Sequence, residues 1–152
     1  MIDRVLLTPL AIIPVAAGDV MHAMRRSDGG FRDFGEAYFT WIEPRATKGW
    51  KRHRQMTLNM VVPVGSVAFA VVDAEARIGR HYELGPEAYG RLTVPPGLWM
   101  AFRGLASLPS LVLNIADQEH DPTEADRAPE EAFAFDWSAS KWPAGADQKV
   151  LS

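Results

Sequence analysis

A chain of 152 residues, 47% hydrophobic and 23% charged, has the size and composition of one globular domain, which argues against a disordered or fibrous chain. Its formal charge of -3 gives no generalised attraction for nucleic acid or for acidic membranes. Without cysteine there are no disulfides, no thiolate metal sites and no cysteine nucleophile, a composition that suits a reducing cytoplasm.

The apolar run from Val5 to Ala17 follows Arg4 and resembles the core of a secretion signal. Asp3 ahead of it and the breaks at Pro9 and Pro14 favour an opening edge strand instead. No stretch reaches the ~20 apolar residues of a membrane span. Asp28-Gly29-Gly30 is a turn leading to Phe31. Residues 36–42 are aromatic and β-branched and end before Pro44, so they read as a strand. Aromatics here (Phe31, Phe34, Tyr38, Phe39, Trp41) suit nucleobase stacking, but the ordinary role of an aromatic strand is core.

Next comes the one strongly basic block, Arg45-Ala-Thr-Lys48-Gly49-Trp50-Lys51-Arg52-His53-Arg54, with five formal positive charges in ten residues. No carboxylate follows until Asp73. If the block is extended, alternation puts Lys51 and His53 on one face and Trp50, Arg52 and Arg54 on the other. A cationic face turned inward needs a partner, and a phosphate or diphosphate suits clustered Lys and Arg. The competing reading is a solvated basic face on an edge strand.

Residues 58–62 and 67–72 flank Pro63-Val64-Gly65-Ser66, which predicts a buried hairpin turning at Gly65. Residues 91–94 run into Pro95-Pro96-Gly97, and strands over 98–102 and 111–115 follow. Short strands with a turn signal every ten residues or so predict a sandwich or barrel. From Asp117 to Glu131 there are seven carboxylates and one arginine. That stretch reads as a surface loop with a short helix over 123–127, capped by Thr123 and with Asp126 at its third position. Beyond Trp137 the strand pattern stops, which divides the chain into a domain over 1–137 and a tail over 138–152.

Four histidines occur, His22, His53, His81 and His120, and none has the spacing of a metal site. No nucleotide-loop, nucleophile-elbow or zinc motif is present, so neither metal nor other cofactor is expected. His53 stands out by its cationic company, and His120 by following the strand over 111–115 and so lying near one mouth of the barrel.

Five segments together resemble the dTDP-4-dehydrorhamnose 3,5-epimerase family and, in part, the related nucleotide-sugar 3,4-ketoisomerases. They are Asp28-Gly-Gly-Phe31, Lys48-Gly-Trp-Lys-Arg-His53, Asn59-Met-Val-Val-Pro-Val-Gly65, Val94-Pro-Pro-Gly-Leu-Trp-Met-Ala-Phe102 and the run from Asn114 to Pro122. The resemblance spans residues 5–137. It implies an all-β, cupin-type jelly-roll barrel, here with a short C-terminal helical segment, and a homodimer formed by strand exchange. It also implies a nucleotide-diphosphate sugar in the barrel mouth and no metal.

In such enzymes a histidine base removes a proton beside a 4-keto group, a tyrosine acts as acid, and a Lys or Arg stabilises the enolate. Here Lys51 stands where that histidine falls, Met100 where a second one does, His120 (or Glu119, one residue earlier) at the tyrosine and Gly29 at a phosphate-binding arginine. The resemblance therefore implies Lys51, His53 and His120 as catalytic residues. It implies Lys48, Arg52, Arg54, Asn59, Trp99 and Phe31 as substrate contacts. The expected function is an epimerase or keto-isomerase of a nucleotide-diphosphate 4-keto sugar, working in the cytoplasm on surface-polysaccharide precursors. The alternatives are a non-catalytic cupin that binds a sugar nucleotide, and an interaction barrel whose basic block meets an acidic protein.

Overall fold

The computed structural model describes residues 1–142, so most of the expected tail lies outside the described residues. Twelve strands follow one another: β1 (Leu6–Pro9), β2 (Ile12–Ile13), β3 (Val20–Met21), β4 (Glu36–Ile42), β5 (Thr47–His53), β6 (Leu58–Val64), β7 (Val67–Asp73), β8 (Ile78–Leu84), β9 (Gly90–Val94), β10 (Trp99–Gly104), β11 (Ser110–Ala116) and β12 (Ala125–Arg127). They build two five-stranded antiparallel sheets, β1-β9-β6-β11-β4 and β12-β5-β10-β7-β8, with β2 and β3 paired separately.

The pairs β4–β11, β5–β10, β6–β9 and β7–β8 nest inside one another and alternate between the two sheets. That nesting is the jelly-roll order, a long antiparallel ribbon wrapped over itself. The all-β class and the jelly roll expected from the sequence are both present. β1 is an edge strand, as its prolines predict.

Alternate side chains meet between the sheets. Leu58, Met60 and Val62 of β6 join Val67, Phe69 and Val71 of β7, with Leu92, Val94, Met100 and Val112, in one buried cluster. The opposite faces are also covered, which is why β6 and β7 read as continuous apolar runs. Ala68, Ala70 and Val72 lie under Phe135, Trp137 and Trp142 from the segment after β12. On the other sheet, fully buried Arg91 ties down the chain before β4 by donating to Ala23 O, Gly29 O and Asp28 Oδ2.

Four expectations need correction. β6 and β7 are not a hairpin: the first pairs with β9 and β11, the second with β8 and β10. Pro63 is the reason. Two residues, Val62 and Pro63, face the single Val112 of β11, a bulge placed where proline has no N–H to give the ladder. The bulge bends the strand end out of its sheet, and Gly65 at φ +86° carries the chain across.

Residues 123–127 are not a helix. Asp121 accepts from Thr123 N and Oγ1 at 2.9 and 2.7 Å, and Ala125–Arg127 then pairs with β5 as β12. Five residues are too few for a stable helix, and the basic strand beside them offers both a ladder and ion pairs. The expected C-terminal helical segment is, among the described residues, a 3₁₀ turn at Glu130–Ala132. Finally, the aromatics of β4 do not all join the core: Phe39 and Trp41 are 63% and 58% exposed on the outer face of this edge strand.

A Cβ on Gly65 would run into the Ser110 side chain at a positive φ. Gly65→Ala is therefore expected to cost about 1–3 kcal/mol. A shift of the urea midpoint at constant m-value is the check; an unchanged midpoint would remove the strain argument.

Candidate functional site

β5 lies between β10 and β12, and its ladder sorts the basic block by face. Lys51 is opposite Met100 on one side and Arg127 on the other, and all three line a cavity of about 410 Å³ between the sheets. Arg52 is opposite Trp99 and Asp126 and faces outward with them. The alternation expected for Lys51, His53, Trp50, Arg52 and Arg54 holds.

Lys48 breaks the alternation. Strict parity would send it outward with Trp50, yet it lines the cavity beside Lys51. Gly49 and Trp50 together face the single residue Ala101, a bulge that resets the parity. Only glycine fits: a Cβ at Gly49, φ +124°, would sit 2.6 Å from Ala101 Cα. Trp50 turns outward, is buried among Phe133, Trp137 and Trp142, and donates its indole N–H to Glu130 O at 3.0 Å.

The outward cations are neutralised within the chain. Arg52 donates to Asp126 Oδ2 at 3.1 and 2.8 Å and lies 4.8 Å over the Trp99 ring. Arg54 pairs with the other oxygen of the same carboxylate. The inward cations differ: among the described residues, Lys48, Lys51 and Arg127 have no ion pair. Lys48 Nζ donates to Trp41 O at 2.9 Å. Burial lowers the Lys51 pKa, the Arg127 charge lowers it further, and Glu124 partly opposes them.

His53 is the most firmly held group on the cavity wall. Its Nδ1 bonds Glu124 Oε1, while Glu124 Oε2 accepts the backbone N–H groups of Arg54, Gln55 and Met56 at 3.0, 2.9 and 3.2 Å. Burial pushes the Glu124 carboxyl up. The His53 bond and the Gln55 and Met56 N–H groups outweigh it and hold the carboxyl below its ordinary value. A carboxylate on Nδ1 fixes the ring and leaves Nε2 as the nitrogen open to a substrate.

The remaining residues singled out in the sequence lie away from this wall. His120 is exposed and outside the cavity lining. Asn59 faces away from the cavity, donating to Gly30 O at 3.1 Å and accepting from Thr93 Oγ1 at 2.6 Å. Trp99 packs on Phe133 outside the second sheet, and Phe31 is half-buried beyond the lining. Arg52 and Arg54 border a second cavity of about 330 Å³ with Asp126, Asp73 and His53.

Sequence reasoning missed Glu124, Arg127 and Asn114, and gave Tyr38 only a stacking role. The signal for the first two was charge: the one acidic run follows the one basic block, and complementary strands pair. For Asn114 it was a polar residue at an inward position of an apolar strand. Among the described residues no three His, Asp or Glu side chains are grouped to hold a metal ion.

No protein-family model and no curated protein matches the chain. Solved structures do. A dTDP sugar isomerase from Desulfovibrio desulfuricans G20 is 36% identical, with a TM-score of 0.80 over 84% of this chain and 85% of that one. A 3,4-ketoisomerase from Thermoanaerobacterium thermosaccharolyticum, in complex with TDP, has 20% identity and a TM-score of 0.70 over 86% and 93%. A dTDP-4-dehydrorhamnose 3,5-epimerase from Sulfolobus tokodaii has 17% identity and a TM-score of 0.75 over 98% and 94%. The last two share the fold.

Because its carboxyl is depressed, Glu124 contributes stability that is full above its ordinary value of 4.5 and is lost as pH falls through the lowered one. Glu124→Gln is expected to flatten the acid side of the stability curve below about pH 4.5. Urea titrations on both proteins across that range are the check. An equally steep decline in the variant would assign the acid lability elsewhere.

Proposed function

Since the chain belongs to the family of dTDP-sugar isomerases and epimerases, we propose that it moves a proton beside the ketone of a dTDP-linked 4-keto sugar, with His53 as the base. The observation that carries this reading is the His53–Glu124 pair on a cavity wall whose cations, Lys51 and Arg127, have no carboxylate of their own among the described residues.

The steps follow from that placement. His53 keeps its Nδ1 proton toward Glu124 and takes the substrate proton at Nε2, and the carboxylate stabilises the imidazolium that forms. The C–H electron pair moves onto the carbonyl oxygen, and Lys51 with Arg127 supplies positive charge to the enolate. A proton delivered to the same carbon from the other side gives epimerisation. Delivery to the former carbonyl carbon, with the hydroxyl proton of the deprotonated carbinol carbon passing to the old carbonyl oxygen, shifts the ketone. One held histidine on one wall, with His120 remote from it, favours the second outcome. Lys51 thus serves as the enolate's cation. Lys48 suits the diphosphate, because its ammonium lies at the same cavity with no carboxylate partner among the described residues.

Lysine at the position of the usual base supports a second reading, a non-catalytic binder of the same nucleotide sugars. NMR of dTDP-4-keto-6-deoxyglucose in deuterium oxide separates the two. We expect deuterium beside the ketone with the parent, and about 10²- to 10⁴-fold slower incorporation with His53→Asn. Binding without incorporation by the parent would establish the binder. Equal rates in parent and His53→Asn would return the base's role to Lys51.

We further propose a cytoplasmic location, which the absence of cysteine suits, and a homodimer, supported by the exposed Phe39 and Trp41 on edge strand β4. Sedimentation is expected to give twice the chain mass, and Trp41→Glu to shift it toward one chain. A parent that sediments as a monomer overturns the assignment.

A further inference from the structure

Asn114 sits on the inward face of β11 between Val112 and Ala116, opposite Tyr38 of β4 and Met60 of β6. It is 5% exposed, and its neighbours Tyr38, Thr40, Val112 and Met60 line the same cavity as Lys51 and His53 with it. Its Nδ2 donates to the Tyr38 hydroxyl at 3.0 Å. Its Oδ1 is buried and has no hydrogen-bond partner. An unpaired buried carbonyl is unfavourable, and native proteins leave few of them. The Tyr38 oxygen is occupied as an acceptor, so its own proton is still to be given, and among the described residues nothing takes it.

We infer that Tyr38 and Asn114 together read one ring hydroxyl of the sugar, making Asn114 a specificity-determining residue. The inference rests on the nucleotide-sugar reading of the cavity. The pair offers one donor, the phenol, and one acceptor, the amide oxygen. A single alcohol uses both at once: its oxygen accepts from Tyr38 and its hydrogen goes to Asn114 Oδ1. A ketone satisfies only the phenol, a deoxy carbon satisfies neither, and a carboxylate or phosphate would face the amide oxygen with like charge. The cations are on β5 and β12 and this neutral pair is on β4 and β11, so the two sheets contribute different chemistry to one cavity. The charged wall suits the diphosphate and the enolate, and the neutral wall suits the hydroxylated ring.

The test reads binding. Dissociation constants are measured by calorimetry for dTDP-4-keto-6-deoxyglucose and for its 2-deoxy and 3-deoxy analogues. The parent is expected to bind at least one analogue about 10- to 100-fold more weakly, the range for one hydrogen-bonded hydroxyl in a buried site. Asn114→Leu is expected to bring that ratio to within about twofold, since the orphaned oxygen is gone. Tyr38→Phe removes one hydroxyl from a partly exposed side chain and carries the test if Asn114→Leu does not fold. The inference is overturned if the parent treats all three sugars alike, if none of them binds, or if the discrimination survives in both variants. A parent that discriminates yet incorporates no deuterium would refute the catalytic reading and leave this one standing.

Discussion

The Glu124 carboxylate, gripped by His53 and three successive backbone N–H groups, is the contact on which the site depends. It closes the turn after β5, docks the acidic strand β12 against the basic one, and fixes the imidazole at the cavity wall. Glu124 and Asp126 are both engaged, by the outer arginines, the histidine and the backbone. What remains uncompensated is the inward charge of Lys48, Lys51 and Arg127. Lys51 is half-buried while Lys48 and Arg127 are exposed, so this charge is open to a ligand that supplies the counter-charge.

Two bulges give the jelly roll its function. The one at Val62 and Pro63 throws β7 into the opposite sheet, so that consecutive strands face each other across the cavity. The one at Gly49 and Trp50 brings Lys48 and Lys51 onto one face and leaves Trp50 to anchor the covering segment. Each adds one residue to a strand and reverses the side-chain alternation beyond it. Neither sheet would present the same wall without them.

At 36% identity to a dTDP sugar isomerase, the chain belongs to that family. The sequence resemblance sets Lys51 where the family's histidine base falls, and the next inward residue of the strand is His53 with its own carboxylate. Moving a base by two residues along a strand keeps it on the same face, about 7 Å further along the wall.

From the sequence alone one could read the all-β class, most of the strands, the edge position of β1 and the inward pairing of Lys51 with His53. Each follows from period-two alternation, proline and glycine, which are local properties of the chain. Where β6 goes after Gly65 was not legible, because the same Pro-Gly turn serves a hairpin and an arch, and both faces of β6 and β7 are covered. The fate of residues 123–127 was hidden for a related reason: their partner is β5, some seventy residues away, and its ladder overrides a weak local helix signal. Arg52 and Lys51 are neighbours of like charge in the sequence, and only the sheet decides that one is neutralised by Asp126 while the other faces the cavity. Glu124, Arg127 and the Tyr38–Asn114 pair join the site through strand register, a long-range property set by the packing of two sheets.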